Sequence, residues 1–173
     1  MAEASPELIA FCEAQHPWLV GMLALYCGDR DIGEELAQET LARVCRDWGK
    51  VADLDSPEAW AHRVGINLAH SHFRRRAAER RVRKRLEAEN RTHWFSGWPE
   101  DRIELLDAIT SLPHRQRSAL LLRYYAGMSV REVADALECP EGTAKTLIHR
   151  AVHSLRRAMN SEVKEESNVI RLE

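Results

Sequence analysis

The chain has 173 residues, of which 45% are hydrophobic and 30% charged, so it can bury a core and wholesale disorder is excluded. Its 8 glycines and 6 prolines are too few for a turn-rich all-β fold. The net charge is −2, so any basic surface must be balanced by acidic segments elsewhere. No run approaches the ~18 consecutive apolar residues of a membrane span, and the acidic N-terminus does not resemble a secretory signal. We therefore expect a cytoplasmic protein without a membrane span.

The first half of the chain is predicted to contain three helices, because apolar residues recur at three- and four-residue steps. The first is predicted over 6–27 and ends at Gly28. The second is predicted over 30–48, followed by a loop at 49–56. Ser56 and Pro57 are typical of a helix start, and the third helix runs into the arginine-rich segment 74–85.

The second half repeats this helical pattern after an interruption. The apolar spacing lapses from 87 to 100, which indicates a flexible linker, and further helices are predicted over 101–112, 114–126, 129–137 and 140–157. The polar, acidic residues beyond them are expected to fray. We therefore predict an all-α fold of two small helical domains, 1–86 and 101–160, joined by a flexible linker at 87–100 and followed by an acidic tail at 161–173.

The last two predicted helices indicate a helix-turn-helix. Ser129 and Glu132 are spaced as a capping box, and Pro140 suits the first turn of the following helix. That helix places apolar residues on one side and small, polar or cationic residues on the other. Such a helix enters the DNA major groove with its N-terminal residues nearest the bases. The candidate DNA contacts are Thr143, Lys145, Thr146 and Arg150. An ordinary helical hairpin with a solvated face is the alternative, and no metal site is predicted.

Two faces of the first domain also carry candidate contacts. One face of the third helix carries an aromatic ring, guanidinium groups, an amide and an imidazole, which together suit the binding of unpaired bases. The residues of this face are Trp60, Arg63, Asn67, His70 and Arg74. The alternative is that Trp60 packs in the core. The basic cluster at 74–85, which includes Arg75 and Arg76, favours an anionic partner. The acidic segment 31–40 is either a solvated face or a docking surface for a basic or amide-rich helix.

Three segments resemble one family in order and spacing. Residues 31–43 (DIGEELAQETLAR) resemble the polymerase-binding helix of the bacterial extracytoplasmic function (ECF) sigma factors. Residues 56–76 resemble the helix that reads the promoter −10 element, and residues 105–157 resemble the region that reads the −35 element. The resemblance implies core RNA polymerase contacts at Asp31, Glu34, Glu35, Leu36, Gln38 and Glu39. It implies −10 contacts at Trp60, Arg63, Asn67, His70, Arg74, Arg75 and Arg76.

The −35 region departs from the family pattern at two positions. Leu147 stands where the family often has Arg, and Glu141 where a small apolar residue is usual. Either the −35 sequence itself is unusual, or part of the basic contact comes from Arg131 or His149, alongside the four residues named above. The resemblance implies a factor that binds core RNA polymerase and promoter DNA, is monomeric when free, needs no cofactor and has an anti-sigma partner. Three aromatic residues of the linker either contact that partner or pack on a domain, and they are Trp94, Phe95 and Trp98.

Two other classes of function remain as alternatives. A stand-alone helix-turn-helix regulator would dimerise on a palindromic site. An enzyme is disfavoured, because the sequence has no Gly-rich phosphate loop, nucleophile elbow or metal-ligand cluster. His62, His70 and His72 are interpreted as surface residues or nucleic-acid contacts. The four cysteines, Cys12, Cys27, Cys45 and Cys139, form no C-x-x-C pair and are interpreted as reduced thiols, with a redox switch between two of them as the alternative.

Overall fold

The computed structural model describes residues 5–83 and 103–169, with side chains for 5–76 and 103–159. The chain divides into two compact units, Met1–Gly97 (unit 1) and Trp98–Glu173 (unit 2). All regular structure in the described ranges is α-helical. The predicted all-α fold with two helical domains is therefore confirmed, whereas the predicted linker at 87–100 lies outside the described residues.

Three helices build unit 1, and they are α1 (Pro6–Cys27), α2 (Arg30–Val51) and α3 (Pro57–Arg83). The Ser5 hydroxyl accepts a hydrogen bond from the Leu8 N–H at 3.3 Å. The Asp29 carboxylate accepts one from the Ile32 N–H at 3.0 Å. These side chains satisfy N–H groups that have no partner within the first turn, so they fix where α1 and α2 begin.

The second helix is longer than predicted. It continues past residue 48 as far as Val51, which is 1% exposed, so the additional turn contributes an apolar side chain to the core. The connection to α3 is correspondingly shorter. Ser56 caps α3 as predicted, because its hydroxyl accepts from the Ala59 N–H at 3.2 Å.

The first two helices lie against each other most closely at Gly33. A Cβ at this position would lie 2.5 Å from the Ala24 backbone nitrogen and 2.8 Å from the Ala24 Cβ, so a larger residue would push the helices apart. This contact fixes the register of α1 against α2. The largest fully buried side chains of unit 1 lie on all three helices and include Leu19, Met22, Leu23, Tyr26, Val44 and Ile66.

By length and composition alone, α1 is apolar enough to cross a membrane. In this structure Leu19, Met22 and Leu23 of α1 are completely buried in the core of unit 1. Part of the hydropathy of α1 therefore belongs to side chains that pack in the core, while Ile9 and Trp18 of the same helix are exposed.

Four helices build unit 2, and they are α4 (Ile103–Ser111), α5 (His114–Tyr124), α6 (Val130–Ala136) and α7 (Glu141–Val169). A buried cation that the sequence analysis did not identify holds the turn between α4 and α5. Arg117 is 5% exposed, and its Nη2 donates to the backbone carbonyls of Thr110 and, at 3.1 Å, of Leu112. The guanidinium thus satisfies carbonyl groups at the end of α4.

The last helix is also longer than predicted. It was expected to end near 157, with a fraying tail from 161, but α7 continues to Val169. The segment 158–169 contains neither Gly nor Pro, and its Glu and Lys residues are good helix formers. The prediction of where the helix ends was therefore wrong, because polarity alone was taken as the sign of an end.

Candidate nucleic-acid and protein interfaces

The capping box that begins α6 is present in full. The Ser129 hydroxyl accepts from the Glu132 N–H at 3.2 Å, and the Glu132 carboxylate accepts from the Ser129 N–H at 2.7 Å. The hydrogen bonds from Ser129, first its side chain and then its backbone N–H, hold the pKa of Glu132 below its ordinary value. The start of the helix-turn-helix is thus fixed by reciprocal hydrogen bonds, as its spacing predicted.

The turn from α6 to α7 is tight and is held by backbone and side-chain contacts. Glu138 adopts a left-handed conformation with φ 49°, and the Cys139 N–H donates to the Ala134 carbonyl at 3.0 Å. Arg115 of α5 donates to the Leu137 carbonyl at 3.3 Å. No local sequence signal predicts this contact, because Arg115 lies 22 residues before the carbonyl it binds.

The recognition face of α7 is exposed to solvent throughout. Its members are Thr143, Lys145, Thr146, His149 and Arg150, all of which are exposed. The opposite side of α7 is buried through Ala144, Ile148 and Ala151. The Thr146 hydroxyl donates to the Gly142 carbonyl at 2.8 Å, which leaves its lone pairs free to accept from a base or a water molecule. Arg131 on α6 and Glu141 at the start of α7 are exposed as well.

The candidate face of α3 lies partly in the core. Trp60 is half-buried and packs against the apolar cluster of Leu8, Val44 and Ala61. The half-buried His70 ring lies 5.7 Å from the Tyr26 ring, centroid to centroid. Trp60 therefore packs partly in the core, as the alternative interpretation of this residue had it.

Exposed polar side chains complete this face of α3. Asn67, Arg74 and Arg75 are exposed, while Arg63 and Arg76 are half-buried. The amide of Asn67 is thus available to a base edge, and the two exposed guanidinium groups are available to phosphates.

His62 was predicted to lie at the surface, but it is buried. It is 7% exposed, and this burial lowers the pKa of its imidazole. The sequence analysis placed it with the arginines around it, but the ring points into unit 1. A neutral buried imidazole is compatible with a structural role and not with a phosphate contact.

Glu34, at the edge of the acidic face of α2, makes contacts with both α1 and α2. The Glu34 carboxylate contacts His16 of α1 at 2.9 Å and accepts from the Gln38 amide at 3.2 Å. The Gln38 hydrogen bond is the main reason that the pKa of Glu34 lies below its ordinary value, and His16 adds to it. Glu39 pairs with Arg43 at 3.0 Å. The sequence analysis missed His16, because it lies on a different helix.

The remaining α2 candidates separate into surface and core. Asp31, Glu35, Gln38 and Glu39 are exposed, and Gln38 and Glu39 also make the contacts described above within α2. Leu36 is only 6% exposed, so its side chain belongs to the core of unit 1. The structure therefore gives the Leu36 side chain a packing role inside the unit, and its contact with a partner stays a prediction.

Comparisons with known proteins match both units. The family described as Sigma-70 region 2 matches residues 11–79, and the family described as Sigma-70, region 4 matches residues 102–155. The RNA polymerase sigma-E factor of Streptomyces antibioticus is 34% identical over 128 residues, which cover 74% of this chain and 71% of that protein. The ECF RNA polymerase sigma factor SigF of Caulobacter vibrioides is 33% identical over 129 residues, which cover 73% and 70%.

A solved structure has the same fold. The sigma factor RpoE of Bartonella quintana, in its co-crystal structure with the anti-sigma factor NepR, matches with a TM-score of 0.77. The match covers 90% of this chain and 98% of that chain at 22% sequence identity. The likeness extends over the helices of both units.

Proposed function

Because this chain belongs to the ECF sigma factors of RNA polymerase, we propose which of its surfaces bind core polymerase and which bind each promoter element. The family comprises transcription initiation factors rather than enzymes. Membership favours this function over a stand-alone dimeric regulator. We assign residues 1–86 to polymerase and −10 recognition and residues 101–160 to −35 recognition. The free chain is monomeric and acts in the cytoplasm, where its polymerase partner would be.

The acidic face of α2 binds core polymerase. Asp31, Glu35, Gln38 and Glu39 present acids and an amide to solvent along one helix, and Glu34 completes the face at its edge. A basic or amide-rich partner helix would pair with these groups. Glu34 is already engaged by Gln38 and His16, so its part is to orient Gln38 before the partner arrives.

The face of α3 recognises the −10 element. Asn67 is exposed and contacts a base that has left the stack, and Arg74 and Arg75 hold the backbone of the opened strand. Trp60 and His70 present only part of their rings. The two rings lie about 15 Å apart along α3, so each would support a different base, and half-buried Arg63 and Arg76 are the other members of this face.

The recognition face of α7 reads the −35 element, and its full exposure is the observation that carries the proposal. Thr143, Lys145 and Thr146 lie in the first turns of α7, where a recognition helix meets base edges. Arg150, His149 and Arg131 contribute phosphate contacts. Exposed Glu141 would be repelled by phosphates unless it accepts from a cytosine amino group, so it narrows the −35 sequences that bind.

An anti-sigma factor regulates the chain under this proposal. The support is the fold shared with an RpoE that was crystallised with the anti-sigma factor NepR. The proposed inhibitor blocks initiation by covering surfaces that polymerase or promoter DNA would use.

Run-off transcription with purified core polymerase tests the function. The templates vary the −10 and −35 elements separately, and each reaction is run with and without the chain. We expect transcripts only when the chain is present, with start sites that depend on both elements. Equal transcription without the chain, or tight and specific promoter binding by the chain alone at physiological salt, would contradict the proposal.

A charge reversal tests the polymerase-binding face separately. Glu35→Lys places a cation where a basic helix is expected and should weaken core binding about tenfold or more. Glu104→Lys is the matched control, because Glu104 is an exposed acid in the first turn of α4 in the other unit. Core affinity is measured by fluorescence anisotropy of the labelled chain. An equal loss of core affinity in both variants would show that binding depends on net charge and not on this face of α2.

A further inference from the structure

Two cysteines that lie far apart in the sequence meet between α1 and α2. The Sγ atoms of Cys12 and Cys45 lie 3.9 Å apart, although the residues are 33 positions apart. Cys12 is half-buried and Cys45 is exposed. Neither thiol is among the residues proposed above as polymerase or promoter contacts, although Cys45 lies on the same helix as the polymerase-binding face.

The packing around these thiols holds them together. Phe11 and Trp48, which lie beside them on the same two helices, have ring centroids 5.2 Å apart. Cys12 itself packs against the apolar cluster of Leu8, Val44 and Ala61, to which all three helices of unit 1 contribute. The proximity therefore follows from the core of the unit and not from a flexible segment.

The two thiols differ in accessibility. Burial, followed by the contact with Cys45, raises the pKa of Cys12 to about 11. Cys45 lies at the surface, where a soluble oxidant can reach it. This division is the one expected of a thiol that is oxidised first and a sheltered thiol that resolves it.

The separation is short enough for a bond. A disulfide has an S–S distance of about 2.05 Å, so the sulfurs must approach by about 1.9 Å. We expect side-chain rotation at the exposed Cys45 to supply most of this movement.

We propose that Cys12 and Cys45 form a redox-responsive pair that closes to a disulfide between α1 and α2 when a hydroperoxide oxidises Cys45. The Cys45 thiolate attacks hydrogen peroxide, an S–O bond forms and the O–O bond breaks. The departing hydroxide takes up the proton that the Cys45 thiol had released, and one water leaves. The Cys12 thiolate then attacks the Cys45 sulfur, the S–S bond forms, the S–O bond breaks, and the departing hydroxide takes up a proton. Two thiols lose two electrons and two protons, and hydrogen peroxide becomes two waters.

The disulfide would act on the helix that carries the proposed polymerase-binding face. Glu34, Gln38 and Cys45 lie four and seven residues apart along α2, a spacing that places all three on one stripe of the helix. Oxidation therefore ties this stripe to α1. This consequence rests on the proposed function, whereas the disulfide chemistry does not.

The experiment uses the reduced full-length chain and hydrogen peroxide, without polymerase or DNA. After treatment, free thiols are alkylated and the cysteine peptides are identified by mass spectrometry. We expect a peptide pair joining Cys12 to Cys45, lighter by two hydrogen atoms than the two reduced peptides, and restored by a thiol reductant. We expect closure of the oxidised chain to accelerate as the pH is raised, because more Cys12 is then thiolate.

Serine variants identify the pair. Cys45→Ser, at an exposed position, should keep the fold and abolish the disulfide, and Cys12→Ser should leave Cys45 as a sulfenic acid that a dimedone-type probe captures. Cys139→Ser in unit 2 is the matched control and should form the disulfide as the unmodified chain does. Disulfides between chains, a different pairing, or over-oxidation of Cys45 without closure would overturn the proposal. None of these outcomes depends on whether the chain binds polymerase.

Discussion

The two proposed DNA-reading faces are supported in different ways. On α7 the recognition side chains are exposed and lie opposite Ala144, Ile148 and Ala151, which are buried. On α3 the half-buried Trp60 packs against Leu8, Val44 and Ala61, so one side chain serves both the surface and the core. The first arrangement separates recognition from packing, and the second combines them.

This difference has a physical consequence for each unit. A side chain that only faces solvent contributes little to the free energy of unfolding, so a sequence change there alters binding alone. A half-buried ring also loses apolar burial when it is removed. We therefore expect unit 2 to tolerate changes of DNA specificity with little loss of stability, whereas changes on the α3 face of unit 1 affect both properties.

The largest effect on both stability and transcription is expected from substitution of Trp60. Trp60→Ala should lower the free energy of unfolding of unit 1 by about 2 kcal/mol, less than for a fully buried Trp, because the ring is half-exposed. It should also reduce run-off transcription, and Trp60→Phe should recover part of both losses. Hydrogen exchange resolved by unit measures the stability. Unchanged protection of unit 1 in Trp60→Ala would remove the distinction between the two faces.

Lys145 provides the corresponding test on the recognition face of α7. Lys145→Ala should lower transcription from −35-dependent promoters about tenfold, since a lost contact to a base or phosphate costs ~1–3 kcal/mol. Its free energy of unfolding should stay within about 0.5 kcal/mol of the unmodified chain. Arg156→Ala is the matched control, because exposed Arg156 lies about 16 Å further along α7. A large stability loss in Lys145→Ala would show that α7 does not separate recognition from packing.

The polymerase-binding face is tested by the reactivity of Cys45. Core polymerase should slow alkylation of Cys45 several-fold, because this exposed thiol lies on the stripe of Glu34 and Gln38. The rate is measured with iodoacetamide under reducing conditions, with an unrelated protein replacing polymerase as the control. Full reactivity in a complex verified by gel filtration would move the interface away from this stripe, and it would leave the proposed disulfide intact.

The smallest effect is expected from the capping box. Glu132 has a lowered pKa in the folded chain, so its contribution to stability is present above its unfolded pKa of ~4.3 and is lost as the pH falls through the folded value. Glu132→Gln keeps an oxygen that accepts from Ser129 but does not titrate. The difference in denaturation midpoint of unit 2 between the two chains should therefore shrink as the pH falls below about 5. A constant difference would exclude this contribution.

Local sequence signals were sufficient for most of the helices. Ser129 and Glu132 are three residues apart, and their hydrogen bonds need no other part of the chain. The inward and outward sides of α7 follow from the 3.6-residue period alone. The helix ends were less accurate. α2 continued to Val51 because the core had room for that side chain, which no local signal indicates.

Most of the candidate contact residues are exposed, but the structure places some of their neighbours in the core. The acidic face of α2 is exposed, but Leu36 within it is buried, because the register of α1 against α2 turns that position inward. His62 was grouped with the arginines near it in the sequence, yet it lies inside the unit. Neighbours in sequence share a helix, but they do not share a side of it.

The sequence alone determined where the helices begin, that two helical domains follow one another, and which side of the recognition helix faces solvent, because caps and apolar periodicity act over a few residues. Only the tertiary structure decided that Cys12 meets Cys45, that His16 contacts Glu34, and that Arg117 satisfies the carbonyls at the end of α4. The first two of these contacts depend on the register of α1 and α2, which the close approach of Gly33 to Ala24 fixes. A contact between residues far apart in the chain requires packed helices to hold both ends.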